Sequence, residues 1–176
     1  MELTITTERL ILRMWREDDM EPYASLLADP NAARFIVPGG EPVTSPLAAW
    51  QHTAVMAGHW ALHGIGMFVV TDRHSGSFFG RTGVWSPPGW FGKEVAWALT
   101  AEERGKGIAF EAAAAVMDRV FRHSSADELI HCIDDDNAPS QRLAKRLGAR
   151  QSDKISLFGK PAHIWRSDRR SFENRR

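Results

Sequence analysis

The sequence predicts an α+β fold, and three observations predict it. Strand-like and helix-like apolar periodicities alternate along the chain in the order β-α-α-β-β-β-α-β-α-β-β. His74-Ser75-Gly76 and Gly159-Lys160-Pro161 each sit between short apolar runs, which is a hairpin signal and so implies antiparallel pairing. The strand pattern at 94–99 passes through a long helical pattern to another strand at 129–133. That arrangement calls for one parallel, right-handed crossover.

The first strand is expected over Ile5–Trp15, from the alternation of Leu10, Leu12 and Met14. Glu17-Asp18-Asp19 opens a helix whose dipole favours acids there, with Met20, Tyr23 and Leu27 inward; Pro30 should end it. Residues 35–46 read as a loop, since they hold Pro38, Gly39, Gly40, Pro42 and Pro46. Leu47, Trp50, Ala54, Ala57 and Ala61 then form the stripe of a second helix that stops before Gly64. Strands follow at Met67–Thr71, Phe78–Trp85 and Glu94–Leu99. Residues 106–122 form the longest helix, with Ile108, Ala109, Ala112, Ala113, Val116, Val120 and Phe121 as its apolar stripe. Leu129–Ile133 is a short apolar strand, Asn137–Leu147 a helix stopped by Gly148, and Ile155–Phe158 with His163–Arg166 a closing hairpin. With no internal repeat and no linker, residues 1–176 are expected to form one domain.

Composition narrows the function classes. The 176 residues are 43% apolar and 25% charged, with a formal net charge of zero, so a general polyanion binder is not expected. Cys132 is the single cysteine, no window reaches the ~20 apolar residues of a membrane span, and Met1–Thr4 has no basic leader pattern. These point to a cytoplasmic protein without a membrane partner. The Arg166, Arg169, Arg170, Arg175, Arg176 cluster reads as a solvated basic tail. His52, His59 and His63 share a helical stripe, but no acid or cysteine joins them, so a solvent-facing polar stripe is expected and no metal site. Asp134-Asp135-Asp136 is expected to cap the helix that follows.

The segment richest in chemistry is Glu94–Ala115. A strand runs into a polar turn, and Arg104, Gly105, Lys106 and Gly107 stand at the start of the long helix. Glycines there let a ligand approach the backbone, the first-turn N–H groups lack helical partners, and the dipole adds positive charge. The pattern suits a phosphate or pyrophosphate; a plain helix start with capping charges is the alternative. It lacks P-loop spacing, and Phe110 stands where a dinucleotide fingerprint would need its third glycine.

Arg104-x-x-Gly107-x-Ala109 resembles the R/Q-x-x-G-x-G/A signature of the GNAT superfamily of acyl-CoA N-acyltransferases. Thr7–Arg13 is similar to the opening strand of the branch that acetylates ribosomal-protein N-termini. Gly80-Arg81-Thr82-Gly83, Glu94-Val95-Ala96-Trp97 and Asn137-x-x-Ser140 with Leu147-Gly148 resemble further family motifs in the family's order. The resemblance implies a mixed, mostly antiparallel sheet of six to seven strands with about four helices, splayed between 94–99 and 129–133. It implies acetyl-CoA as co-substrate, no metal and direct acetyl transfer to a primary amine. Ala96, Trp97, Ala98 and Leu99 would hold the pantetheine arm, and Arg104, Gly105, Lys106, Gly107, Ile108 and Ala109 the pyrophosphate. Asn137 and Ser140 would flank the arm and sulfur. Glu94 is the candidate base, with a paired surface carboxylate as the other reading; Ser140 is the candidate donor to the leaving sulfur. Phe35, Trp85 and Trp90 would border the acceptor pocket. Ala144 stands where many members carry a tyrosine acid, and the one tyrosine, Tyr23, lies in the first helix. An antibiotic-like amine, another acyl-CoA and an inactive CoA-binding module are the competing readings, and a homodimer is compatible with each.

Overall fold

The structure is a computed structural model that describes residues 3–173. Its strands are β1 (Ile5–Thr6), β2 (Leu10–Arg13), β3 (Met67–Asp72), β4 (Phe78–Trp85), β5 (Glu94–Leu99), β6 (Glu128–Asp134), β7 (Arg150–Leu157) and β8 (Lys160–Asp168). The helices are α1 (Met20–Ala28), α2 (Pro30–Ile36), α3 (Pro46–His63), α4 (Ile108–His123), α5 (Ala138–Arg146) and α6 (Arg169–Glu173). The strands form one mixed sheet in the order β1-β2-β3-β4-β5-β6-β8-β7, antiparallel throughout except between β5 and β6.

The α+β class stands, with eight strands where six or seven were expected. The extra strand comes from the first segment, which is a hairpin and not one strand. Thr7 Oγ1 accepts the Leu10 N–H at 3.0 Å, turning the chain so that Ile5 pairs with Leu12. The extra helices also have local causes. Pro30 does end α1, but it starts α2 in the same step, because a proline needs no N–H partner at the first helical position. The Asp29 side chain caps α2 by accepting the Asn31 N–H at 2.9 Å. The loop expected over 35–46 therefore begins after Ile36.

The sheet carries a core on each face. On one face α4 packs Ile108, Ala112, Ala113, Val116, Met117 and Phe121 against Leu10, Leu12, Phe68, Val70, Val84, Val95 and Leu99. On the other, α1, α2 and α3 bury Tyr23, Leu26, Leu27, Ala32, Ala33 and Ala49 over Ala98. The helix starting at 46 is correctly placed, but its orientation is the reverse of the expected one. Leu47 and Trp50 are exposed, and Ala49, Thr53, Met56 and His59 face inward. The histidine stripe is thus only partly solvated: His63 is exposed and His52 is half-buried. His59 is buried, stacked on Trp85 at 4.7 Å, and held at both ring nitrogens. Ser86 N–H donates to Nε2 at 3.2 Å, which leaves Nδ1–H to donate to the Ile65 carbonyl at 2.7 Å.

The basic tail is also structured where it is described. Arg166 lies in β8 and pairs with Asp153 at 2.7 Å and with Glu128. Arg169 opens α6 and donates to the carbonyls of Phe121, Ser124 and Ala126, closing the end of α4. Arg175 and Arg176 lie outside the described residues. Among the aspartates at 134–136, none caps α5; Asn137 does, through Oδ1 accepting the Ser140 N–H at 3.2 Å. The closing turn is Phe158-Gly159, both at positive φ, with Lys160 and Pro161 already in β8. Among the described residues no helix is long and apolar enough to cross a membrane.

Candidate active site

β4 and β5 pair along their whole length, from Gly80 with Leu99 to Trp85 with Glu94. β5 and β6 pair only where they start, at Glu94 with Ile130, fastened by the Ile130 N–H to the Lys93 carbonyl at 3.0 Å. Beyond that point β6 has no strand partner on its β5 edge, while its other edge pairs with β8 from Glu128 to Asp134, and the two parallel strands diverge. The expected splay is therefore present. A carbonyl at its throat, Val95 O, accepts a hydrogen bond from a side chain: His131 Nδ1–H, at 2.7 Å. Burial drives the His131 pKa down to about 4, so the ring stays neutral and keeps that bond.

The splay opens into a cavity of about 480 Å³. Glu94, Ala96, Trp97, Asn137 and Ser140 line it, and so do Phe35, Trp85 and Trp90. Residues of α2, β4, the loop after β4, β5 and the start of α5 thus meet on one space.

Glu94 is 7% exposed. Its Oε2 accepts the Trp90 indole N–H at 2.7 Å, and its Oε1 accepts the Cys132 backbone N–H at 3.2 Å. Burial raises its pKa to about 7, outweighing these two donors and the positive charge of Arg81, which all favour the ionised form. A carboxylate poised near neutrality is suited to proton transfer. The alternative of a surface carboxylate paired to a neighbouring cation does not describe this burial.

Ser140 stands across the cavity on the first turn of α5. The Trp97 indole N–H donates to its Oγ at 3.2 Å. An indole N–H can only donate, so the serine hydroxyl proton is left to point elsewhere. Ala144 lies one helical turn further on and is fully buried against Ile133, Ala149 and Trp165, where no side chain of tyrosine size has room. Tyr23 is buried among α1–α3 and does not line the cavity.

The glycine turn lies beyond the end of β5. Ala98 and Leu99 are buried and lead into it rather than lining the cavity. Gly105 and Gly107 have φ of +77° and +82°, in the left-handed region where a side chain is strained. Gly107 is the N-cap of α4, and no side chain caps that helix. Ile108 and Ala109 form its first turn. The turn's cations are already paired. Arg104 donates to the Leu99 carbonyl at 3.1 Å and pairs with Asp29 at 2.6 Å, and Lys106 pairs with Glu103 at 3.2 Å. Arg104 therefore ties the turn to β5 and α2, and the backbone N–H groups are the donors left to meet an anion. Arg9 braces the other side: it donates to the Lys106 carbonyl at 3.0 Å and pairs with Glu111 of α4 at 2.7 Å.

Among the lining residues that the sequence does not place at the site are His52, Arg81, His131 and Cys132. The alternation of β4 carried a usable signal for Arg81, a full charge in the middle of a strand that should be buried. His131 sat equally visibly inside an apolar run. Among the described residues no group of three or more metal-ligating side chains is assembled.

Residues 9–150 match the model of a family described as an acetyltransferase (GNAT) domain. The chain is 26% identical over 147 residues to an uncharacterized N-acetyltransferase, YnaD, of Bacillus subtilis, covering 84% of this chain and 82% of that protein. It is also 26% identical over 112 residues to the uncharacterized protein YkkB of the same organism. That match spans 62% of this chain and 64% of YkkB's own length, so under two thirds of that relative is accounted for. The fold superposes on an acetyltransferase from Agrobacterium tumefaciens with a TM-score of 0.82, at 25% identity and 95% coverage of both chains. It also superposes on RimL, a ribosomal L7/L12 α-N-protein acetyltransferase solved with coenzyme A. There the TM-score is 0.79, covering 94% of this chain and 98% of that one, and at 15% identity the likeness shows the fold alone. Taken with the splayed sheet and the uncapped glycine turn, the family match settles what kind of chain this is: it belongs to the GNAT acetyltransferase family.

Proposed function

We propose that residues 1–176 act as one enzyme domain that moves the acetyl group of acetyl-CoA to a primary amine by direct attack within a ternary complex. The observation that carries this reading is the buried Glu94 carboxyl facing Ser140 across the splay, in a family of acetyltransferases. The unpaired edge of β5 suits an extended amide-bearing arm, added as a strand would be. The positive-φ glycines and uncapped N-terminus of α4 suit a pyrophosphate.

Glu94 takes a proton from the ammonium, directly or through a water. The neutral amine attacks the thioester carbonyl and a C–N bond forms; the nitrogen gives its surplus proton to water, and the C–S bond breaks as the tetrahedral intermediate collapses, expelling a CoA thiolate that takes a proton from water. The amide product and CoA leave, with the Ser140 hydroxyl donating a hydrogen bond to the departing sulfur. No covalent enzyme intermediate is needed, since holding both reactants in line supplies much of the rate. Of the acceptor branches, a protein N-terminus as in the ribosomal-protein enzymes and a small amine both fit this chemistry.

Calorimetry with acetyl-CoA tests the first half: absence of binding at millimolar ligand overturns the reading. A free-thiol assay tests the second, since thiol release must depend on added amine. In the same assay Ser140→Ala is expected to lower kcat by about 10- to 100-fold, the cost of a single transition-state hydrogen bond. The acetyl-CoA Kd should change little. An unchanged kcat would remove Ser140 from the chemical step.

A further inference from the structure

One group in the cavity has no part in the acetyl-transfer chemistry. Arg81, in the middle of β4, is 5% exposed and lines the cavity. Its Nε is fully buried without a hydrogen-bond partner, and no carboxylate of the described residues lies within ion-pair distance. Arg13, which is also turned inward, is by contrast paired with Asp19 at 2.7 Å. A guanidinium taken out of water without an anion is costly, and the cost rises when a ligand displaces the water that remains.

The surroundings of Arg81 do not supply that anion. Its nearest titratable neighbours are felt only as charge effects at His52 and Glu94. His52 is pushed toward its neutral form by burial and by Arg81 itself. His131 is held neutral, and Asp134 is occupied in accepting the Asp136 N–H at 2.8 Å. Much of the cavity lining is apolar, including Phe35, Met56, Met67 and Trp85. Across the β4–β5 ladder Arg81 stands opposite Ala98, and Glu94 stands opposite Trp85. The two positions are four residues apart, about 13 Å of strand, and both residues line the cavity.

We propose that the acceptor is a small amino carboxylate, with its carboxylate paired to Arg81 and its amine presented to Glu94. This rests on the acetyl-transfer reading above and narrows it. The planar guanidinium matches a carboxylate in a two-point fork, and the apolar wall fits the carbon skeleton between the two charged ends. A neutral amine of the same shape would bury Arg81 unpaired, so the site rejects it.

The test uses matched sets: an apolar amino acid, its carboxamide and its decarboxylated amine, with the amine–acid separation varied from α to ω. Rates come from thiol release. With the native protein the acid is expected to exceed its carboxamide in kcat/KM by at least about 30-fold. In Arg81→Met that ratio should fall to near one, and Arg81→Lys should retain part of it. Equal rates for acid and carboxamide in the native protein, or a ratio that survives in Arg81→Met, overturn the proposal. So does turnover restricted to peptides whose N-terminal amine lies far from any acid. Acetyl-CoA calorimetry separates this from the parent reading. Failure to bind acetyl-CoA ends acetyl transfer itself, whereas carboxamides turning over as well as acids ends only the carboxylate assignment. Should Arg81→Met fail to fold, calorimetry of the native protein decides alone. A carboxylic acid lacking the amine must bind more tightly than the matching alcohol, and equal affinities overturn the assignment.

Discussion

Replacing Glu94 by glutamine is expected to lower kcat by about 10²- to 10⁴-fold, the range of a positioned general base, while acetyl-CoA still binds. The pH profile gives a sharper readout. Glu94 works as a base only when ionised, and its pKa is raised to about 7. The native rate should therefore rise through pH 7 along a limb that does not move with the pKa of the amine. In Glu94→Gln that limb should vanish. A native profile flat across pH 6–8, or a variant with native kcat, would take Glu94 out of the mechanism.

The same shift has a consequence for stability, and its sign is opposite to that of most carboxylates. The folded pKa is above the unfolded value of 4.5, so the fold favours the protonated form. The stabilisation is complete below pH 4.5, is lost as pH rises through 7, and amounts to something on the order of 3 kcal/mol. His131 works in the other direction. Its folded pKa is depressed from 6.5 to about 4, so its contribution is present above 6.5 and is lost as pH falls through 4. Between pH 4.5 and 6.5 the two contributions change with opposite slopes and offset each other, so the net pH dependence of the site there is small.

Gly107→Glu is expected to abolish acetyl-CoA binding. Two effects add. The residue sits at φ +82°, where a side chain is strained by roughly 1–2 kcal/mol, and the new carboxylate would stand at a helix N-terminus proposed to meet a pyrophosphate. Space is not the obstacle: a Cβ at Gly107 would meet only the end of Arg9, at 3.5 Å. The informative control is Gly107→Asn, because asparagine tolerates the left-handed region and adds no charge. It should keep most of the affinity. Calorimetry and a thermal melt of both variants check this. Native affinity in Gly107→Glu, with an intact melt, would move the pyrophosphate elsewhere.

Much of this architecture was legible because it rests on local signals. The periodicities of β3, β4, β5 and α4 mapped onto elements almost residue for residue, and Gly148 and Asn137 marked the ends of α5. The misses share one cause: a local rule overridden by what the element faces. Pro30 signals a stop, yet the same residue is a good start once Asp29 caps the next helix. α3 was turned the wrong way because its apolar stripe should seek the core. Instead its other face both packs, through Ala49, and lines the cavity, through Gln51, His52 and Met56. The candidate site was legible as motifs, in Glu94, Ser140 and the glycine turn. Arg81 and His131 were not, since only the sheet pairing shows that one has no partner and the other fills the bond left by a missing strand.

The outward face of α3 also affects how the protein behaves in bulk. Leu47, Trp50 and Leu62 are 64%, 52% and 81% exposed. The chain has no formal net charge, and its isoelectric point is about 7.1. Near neutrality, repulsion between copies is therefore at its weakest while a greasy helix face is uncovered, so colloidal stability should pass through a minimum there. Static light scattering across pH 6–9 would locate that minimum, and an attraction that grew steadily with pH would contradict it. Moving to pH 8 or above gives the molecule a negative charge and ionises Glu94 in the same step. The conditions that keep the preparation dispersed are also those in which its base is armed.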